Sequence, residues 1–194
     1  RPGRLDEGLV YTRSPNSYNI PIAEYVVAAV LLHGKQFAAL RAAQERHEWV
    51  RLVAQDVIGS TMVVFGTGGI GREVAVRARA LGATVVGVNR SGTGAEGFER
   101  TVAFADHLAL LPEADSVVLA MPLTSENRYF FGAEHFAAMK ESAVLVNVGR
   151  GALIVDDALV DAMRGGQIGG AFLDVFEEEP LPPDSRLWDL PNTV

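Results

Sequence analysis

The stretch Thr61-Met62-Val63-Val64-Phe65-Gly66-Thr67-Gly68-Gly69-Ile70-Gly71-Arg72-Glu73-Val74 decides how the rest of the chain is read. A short apolar, β-branched run leads into a cluster of glycines, and amphipathic helical spacing follows over 70–81. Gly66, Gly68 and Gly71 stand in G-x-G-x-x-G spacing. Between a strand and a helix, the first glycine permits the tight turn and the second lets backbone approach a pyrophosphate. The third lets helix and strand pack closely. Amide groups at the helix start, around Gly69 and Ile70, then face the anion with the helix dipole behind them. Glycine-rich turns also occur for purely structural reasons, but the strand-to-helix setting of this one points to dinucleotide binding.

Outward from this loop the chain alternates β-branched runs with helical ones. Strands are expected at Thr61–Phe65, 84–88, 117–120, 144–148 and 171–174, and helices at 70–81, 133–140 and Asp156–Arg164. The strand runs are nearly all apolar, as in strands buried on both faces of a parallel sheet. Such alternation predicts a doubly wound, Rossmann-type α/β fold with right-handed crossovers. Upstream, residues 1–21 are polar and rich in turn formers. Ile22, Val26 and Val30 then recur at helical spacing, and Pro21 just before them predicts a helix beginning at Ile22. The charged stretch from Arg41 to Arg51 carries an isolated Trp49, and an aromatic in such surroundings usually docks on its own chain or on a partner.

Composition narrows the function classes. Of 194 residues 48% are hydrophobic, the usual proportion for a globular domain. The formal charge of -7 argues against a nucleic-acid or anionic-membrane surface. With no cysteine there is no disulfide framework, thiolate metal site or cysteine nucleophile. The longest apolar run, Tyr25 to Leu32, is far short of the ~20 residues that cross a bilayer. These features lead to the expectation of a cytoplasmic protein without a metal.

At the end of the second strand run, NAD-binding proteins normally place an acidic residue that accepts from the ribose hydroxyls. Here the residues are Asn89-Arg90-Ser91. Without the acid a 2′-phosphate is no longer repelled, and Arg90 could pair with it. NADP(H) is therefore the preferred cofactor, with NAD(H) open and a solvated loop charge as the plainer reading of Arg90.

Two later segments carry a specific resemblance. Asn147-Val148-Gly149-Arg150-Gly151 and Leu173-Asp174-Val175-Phe176-Glu177-Glu178-Glu179-Pro180 resemble two signatures of the D-2-hydroxyacid dehydrogenase family. Met121-Pro122-Leu123-Thr124 is similar to that family's turn beside the nicotinamide. The resemblance implies that Arg150 holds a substrate carboxylate and polarises its carbonyl. It also implies that Glu179 pairs with a catalytic histidine, raising its pKa. Gly69 and Ile70 would bind pyrophosphate through backbone groups. Met121, Pro122 and Asn127 would line the crevice, Val148 and Gly149 would lie beneath the nicotinamide, and Asp174 would accept from its carboxamide. Read without the family, Arg150 could be a structural residue closing its turn, the acidic run a solvated face, and Asp174 a cap.

On this resemblance, residues 1–21 are the remnant or hinge of a substrate domain. Residues 22–194 are the dinucleotide-binding domain, including a helical arm over 35–51 whose Gln44 and Trp49 would embrace a second subunit. The expected activity is hydride transfer between NADP(H) or NAD(H) and a small D-2-hydroxy acid/2-keto acid pair of the glyoxylate or hydroxypyruvate type. The family's acid/base histidine stands in a Pro-His sequence, which none of His33, His47, His107 and His135 matches. That histidine is expected beyond Val194, leaving this stretch poorly active by itself. A nucleotide-sensing binding protein or corepressor of the same fold is the alternative.

Overall fold

A computed structural model describes residues 16–194. Six parallel strands form one sheet: β1 (Thr61–Phe65), β2 (Thr84–Asn89), β3 (Arg100–Ala103), β4 (Ser116–Leu119), β5 (Val144–Asn147) and β6 (Gly170–Leu173). Their order across the sheet is β3-β2-β1-β4-β5-β6. Chain direction therefore reverses its progress between β1 and β4, and such a switch point opens a crevice at the strands' carboxyl ends. Val63 lies opposite Val86 of β2 and Val117 of β4. All four residues of each of β4, β5 and β6 are buried, consistent with cover on both faces.

One face is covered by α1 (Asn19–Gly34) and α3 (Gly69–Ala80). Ala23, Val26 and Ala29 of α1 meet Val74, Ala75 and Ala78 of α3 in a single buried cluster. The alanines leave room for the close approach of the two helices, and full burial of Val26 contributes roughly 1.5–3 kcal/mol. The other face is covered by α4 (Ala133–Ala138), α5 (Asp156–Arg164) and a 3-10 helical stretch, Phe104–Glu113. In α5, Leu159, Val160, Ala162 and Met163 turn inward, as the sequence period requires. A short helix, α2 (Phe37–Glu45), leaves α1 at a bend of 59°, with Gln36 in the left-handed region at the joint. Residues 46–56 return to that joint, where Gln55 N–H donates to Gly34 O and Lys35 pairs with Asp56. No single helix among the described residues is long and apolar enough to cross a membrane.

Several expectations are corrected. α1 begins at Asn19, so Pro21 lies within the first turn rather than before it; its missing N–H falls among the amides that have no helical acceptor anyway. α4 stops at Ala138, where Met139 turns to extended backbone. The strand β3 and the 3-10 stretch were not expected. β3 has no apolar run and is only partly buried at the sheet edge, and Pro112 interrupts helical periodicity in the 3-10 stretch. Residues 1–15 of the expected hinge lie outside the described residues.

Candidate active-site crevice

At the end of β1, Gly66 takes φ +105, and a Cβ there would stand 2.6 Å from Ala120 O. A Cβ on Gly71 would meet Gly66 O at 1.9 Å, so the turn closes only with glycine at both places. Gly68 differs: nothing lies within 4 Å of its would-be Cβ, which leaves its outer side open to a ligand. The first helical bond of α3 runs from Arg72 N–H to Gly68 O, and no side chain caps the helix. Amides of Gly69, Ile70 and Gly71 therefore have no helical acceptor and no acidic neighbour in the first turn. An uncapped, electropositive helix end beside an open glycine fits a pyrophosphate. Asn16 and Asn19, hydrogen-bonded to each other at 2.9 Å, flank Gly69 from the start of α1.

At the end of β2, Asn89 builds a turn. Its Oδ1 accepts from the N–H groups of Ser91 (3.2 Å) and Gly92 (2.7 Å), and its Nδ2 donates to Thr93 O (2.8 Å) and Thr67 Oγ1 (3.3 Å). The side chain thus ties this turn to the glycine loop. Arg90 is exposed and has no ion-pair partner among the described residues, while Ser91 and Thr93 share a hydroxyl contact at 2.8 Å. A guanidinium and two hydroxyls suit a phosphate better than they suit ribose hydroxyls.

Beyond the switch point the rim is made by the ends of β4, β5 and β6. Ala120 N–H donates to Phe65 O, Val148 N–H to Leu119 O, and Asp174 N–H to Asn147 O, so these strand ends are stitched in sequence. Met121 packs on the core below, and Pro122 is exposed. The Asn127 amide is used inside the turn: it accepts from Thr124 N–H and donates to Pro122 O, shaping the crevice wall. Asn147, fully buried, accepts from Gly149 N–H (3.1 Å) and donates to Arg150 O (2.9 Å). It braces the turn that presents Arg150. The Arg150 side chain is exposed; its Nη1 donates to Gly149 O at 2.6 Å and makes no ion pair among the described residues.

Asp174 and Glu179 stand close enough to repel. Burial, then the charge of Glu179, pushes the Asp174 carboxyl above its ordinary range. Tyr25 of α1 is raised in turn by burial and by Asp174. Glu179 Oε1 accepts from Phe176 N–H at 2.9 Å. Two neighbouring carboxylates of this kind favour an N–H donor or cation beside them. Tyr25 was not among the expected site residues; from sequence it is one more apolar position of α1.

The histidines are engaged elsewhere. Gly132 N–H donates to His135 Nδ1, so His135 carries its proton on Nε2 and donates it to His107 Nε2 at 2.8 Å. His107 Nδ1 then donates to Phe104 O. Both rings sit among Phe65, Phe104, Phe130 and Phe131. Burial, then His107, holds His135 down at about 4. His33 contacts Ser142 O beside the amino ends of β5 and β6, and His47 is exposed. A hollow of about 750 Å³ lies there too, lined by His33, Phe37, Phe172 and Val194 and separate from the crevice. Farther along the last loop, Trp188 Nε1 donates to Pro182 O at 2.9 Å.

Residues 27–194 match the family model described as D-isomer specific 2-hydroxyacid dehydrogenase, NAD binding domain. The chain belongs to this family. It is 37% identical over 195 residues to glyoxylate/hydroxypyruvate reductase B of Pectobacterium carotovorum, covering 97% of this chain and 61% of that relative. It is 34% identical to D-3-phosphoglycerate dehydrogenase of Methanocaldococcus jannaschii, covering 97% of this chain and 36% of that one. An NADPH-dependent glyoxylate/hydroxypyruvate reductase from Sinorhizobium meliloti, solved with NADP and sulfate, superimposes with a TM-score of 0.87 at 34% identity, over 93% of this chain and 58% of that one. The chain thus spans about three-fifths of the reductase it matches. Family and fold agree on a Rossmann-type, NAD(P)-binding domain.

Proposed function

We propose that the natural protein is a reductase of small 2-keto acids in the D series, of the glyoxylate or hydroxypyruvate class, with NADP(H) preferred over NAD(H). The observation that carries this reading is the placement of the exposed Arg150 guanidinium on the same rim as the uncapped start of α3. The dinucleotide, when bound, supplies reducing equivalents. The chain's residues do the rest. Amides of 69–71 hold pyrophosphate, Arg90 takes a 2′-phosphate, and Val148 and Gly149 floor the crevice. Asp174 accepts from a carboxamide, and Arg150 grips the substrate carboxylate and draws charge onto its carbonyl oxygen. Glu179 orients an imidazole and favours its protonated form, so that it donates near neutral pH.

All four histidines of this chain have other surroundings, so the proton donor is assigned to a residue outside 1–194, and this stretch alone is expected to bind dinucleotide with little turnover. The proposal extends to a cytoplasmic homodimer. Trp49 and Val53, 93% and 88% exposed on the partly charged segment after α2, are apolar side chains suited to contact with a second subunit. The test follows the absorbance of NADPH or NADH with the full-length protein and a panel of 2-keto acids. Oxidation with one of them is expected. Tight dinucleotide binding with no oxidation by any acid would reject the reductase in favour of a nucleotide sensor.

A further inference from the structure

On the outer side of the rim three side chains meet that no role above uses. Arg128 Nη2 lies 2.6 Å from Glu177 Oε1 and 2.9 Å from the Tyr129 hydroxyl, and that hydroxyl also donates to Glu177. The Arg128 guanidinium sits over the Tyr129 ring, 4.7 Å from its centroid. We propose that Arg128, Tyr129 and Glu177 form a clasp that positions Glu179 relative to Arg150. The proposal rests on the reductase reading above.

Three features make the clasp a positioning device. First, the backbone of 176–177 runs directly over the residue after Arg150: a Cβ on Gly151 would meet Phe176 C at 2.0 Å and Glu177 N at 2.2 Å. The segment that bears Glu179 therefore rests on the turn that bears Arg150. Second, the Glu179 carboxylate takes its orientation from Phe176 N–H, within the same stretch. A shift of 176–177 moves Glu179 with it. Third, the residues that hold Glu177 from the side are themselves anchored to the Arg150 turn. Tyr129 N–H donates to Ala152 O at 2.7 Å, and Phe131 N–H to Leu153 O at 3.0 Å. Tyr129 accepts φ +55 to do this, a region that bulky residues avoid unless their surroundings hold them there.

Charge adds a second effect. Glu177, Glu178 and Glu179 are consecutive, and Arg128 neutralises the first of them. Glu177 also faces Asp156 of α5, whose carboxyl is raised by burial and then by the charge of Glu177. An exposed ion pair of this kind adds little to stability, so its loss should show in chemistry and not in folding.

The experiment uses the full-length protein and the keto acid it reduces fastest. Activity in the reducing direction should fall as pH rises through the pKa of the proton donor. In Glu177→Gln the loosened Glu179 should support the protonated imidazole less well. The alkaline limb of kcat should move down by about half a unit or more, giving a roughly three- to tenfold loss at pH 8. Dinucleotide affinity measured by calorimetry should stay within about twofold of the unsubstituted protein. Tyr129→Phe removes only a hydroxyl and should shift the limb the same way by less. The exchange Arg128→Glu with Glu177→Arg should restore the limb. Variants that lose kcat equally at all pH values, or an unmoved limb in an active Glu177→Gln enzyme, would overturn the clasp. An unsubstituted protein inactive on every keto acid would overturn the reductase reading beneath it.

Discussion

Around 66–71 the groups proposed to meet a ligand are main-chain amides, set by a turn in which neighbouring backbone fills the place of a side chain at Gly66 and Gly71. Around 150–179 they are side chains on exposed loops, braced by Asn147 and by the contacts of 176–179. On that reading the first region selects by shape, and it leaves almost no room for a side chain at Gly66 or Gly71. The second would select by charge, and its exposed groups are expected to be alterable with the fold intact. On the proposed reading, the pyrophosphate and the adenine ribose are held on the β1–β2 side of the switch point, and the nicotinamide end and the substrate on the β4–β6 side.

The largest effect should come from the side-chain region. Arg150→Gln in the full-length protein should lower kcat/KM for a 2-keto acid by roughly 100- to 1,000-fold, the usual scale for losing one charge-stabilising donor. Its melting temperature should hardly change, because the side chain is exposed. A large drop in stability would break the contrast between the two regions.

The backbone region should behave in the opposite way. Gly71→Ala should cost about 1–3 kcal/mol of stability from overpacking against Gly66 O, measurable by urea titration, together with most of the dinucleotide affinity. Gly68→Ala sharpens the point. Its Cβ meets no protein atom, so stability should hold while calorimetry shows weaker dinucleotide binding.

Acid should act from beneath the glycine loop, since Phe65 packs edge-on against the His107 ring. His135 is neutral in the fold, with a pKa held near 4 against an ordinary 6.5. Between those values the unfolded chain binds the extra proton, so stability is full above about pH 6.5 and falls as pH drops toward 4. The loss approaches roughly 3 kcal/mol at the lower end. Urea midpoints across this range should show the fall, and His135→Asn should flatten it; an equally steep fall in the variant would remove His135 as its source. The smallest effect concerns cofactor choice. Arg90→Asp should shift preference from NADPH toward NADH by roughly tenfold, one charge-assisted contact's worth, in the ratio of kcat/KM values.

Much of this architecture was legible because local and global signals agree. The apolar run Thr61–Phe65, the glycine spacing and the helical period after it specify β1, the loop and α3 without reference to anything distant. β3 had no such signal. Arg100-Thr101-Val102-Ala103 becomes a strand through pairing with 86–89 of β2, a tertiary cause. The same division holds in the site. Arg150 and Asp174 follow apolar strands and could be placed at their ends. Tyr25 could not, because its neighbour Asp174 lies 149 positions away. The acidic run shows the limit most clearly. Residue types alone give Glu177 and Glu179 the same solvated reading, and only folding assigns one to Arg128 and the other to Phe176 N–H.

Trp49 and Trp188 are the chain's two tryptophans, and they are 93% and 62% exposed. Intrinsic emission from this stretch is therefore expected to be red-shifted already in the native state, and to change little when the sheet unfolds. Trp188, tied to Pro182 near the end of the loop that carries Glu179, becomes a local optical reporter of that loop. Trp49 would change colour only when its surroundings dry, as they would against a second subunit. The placement of two indoles thus provides separate spectroscopic handles on the loop of Glu179 and on the segment after α2, with the core itself silent.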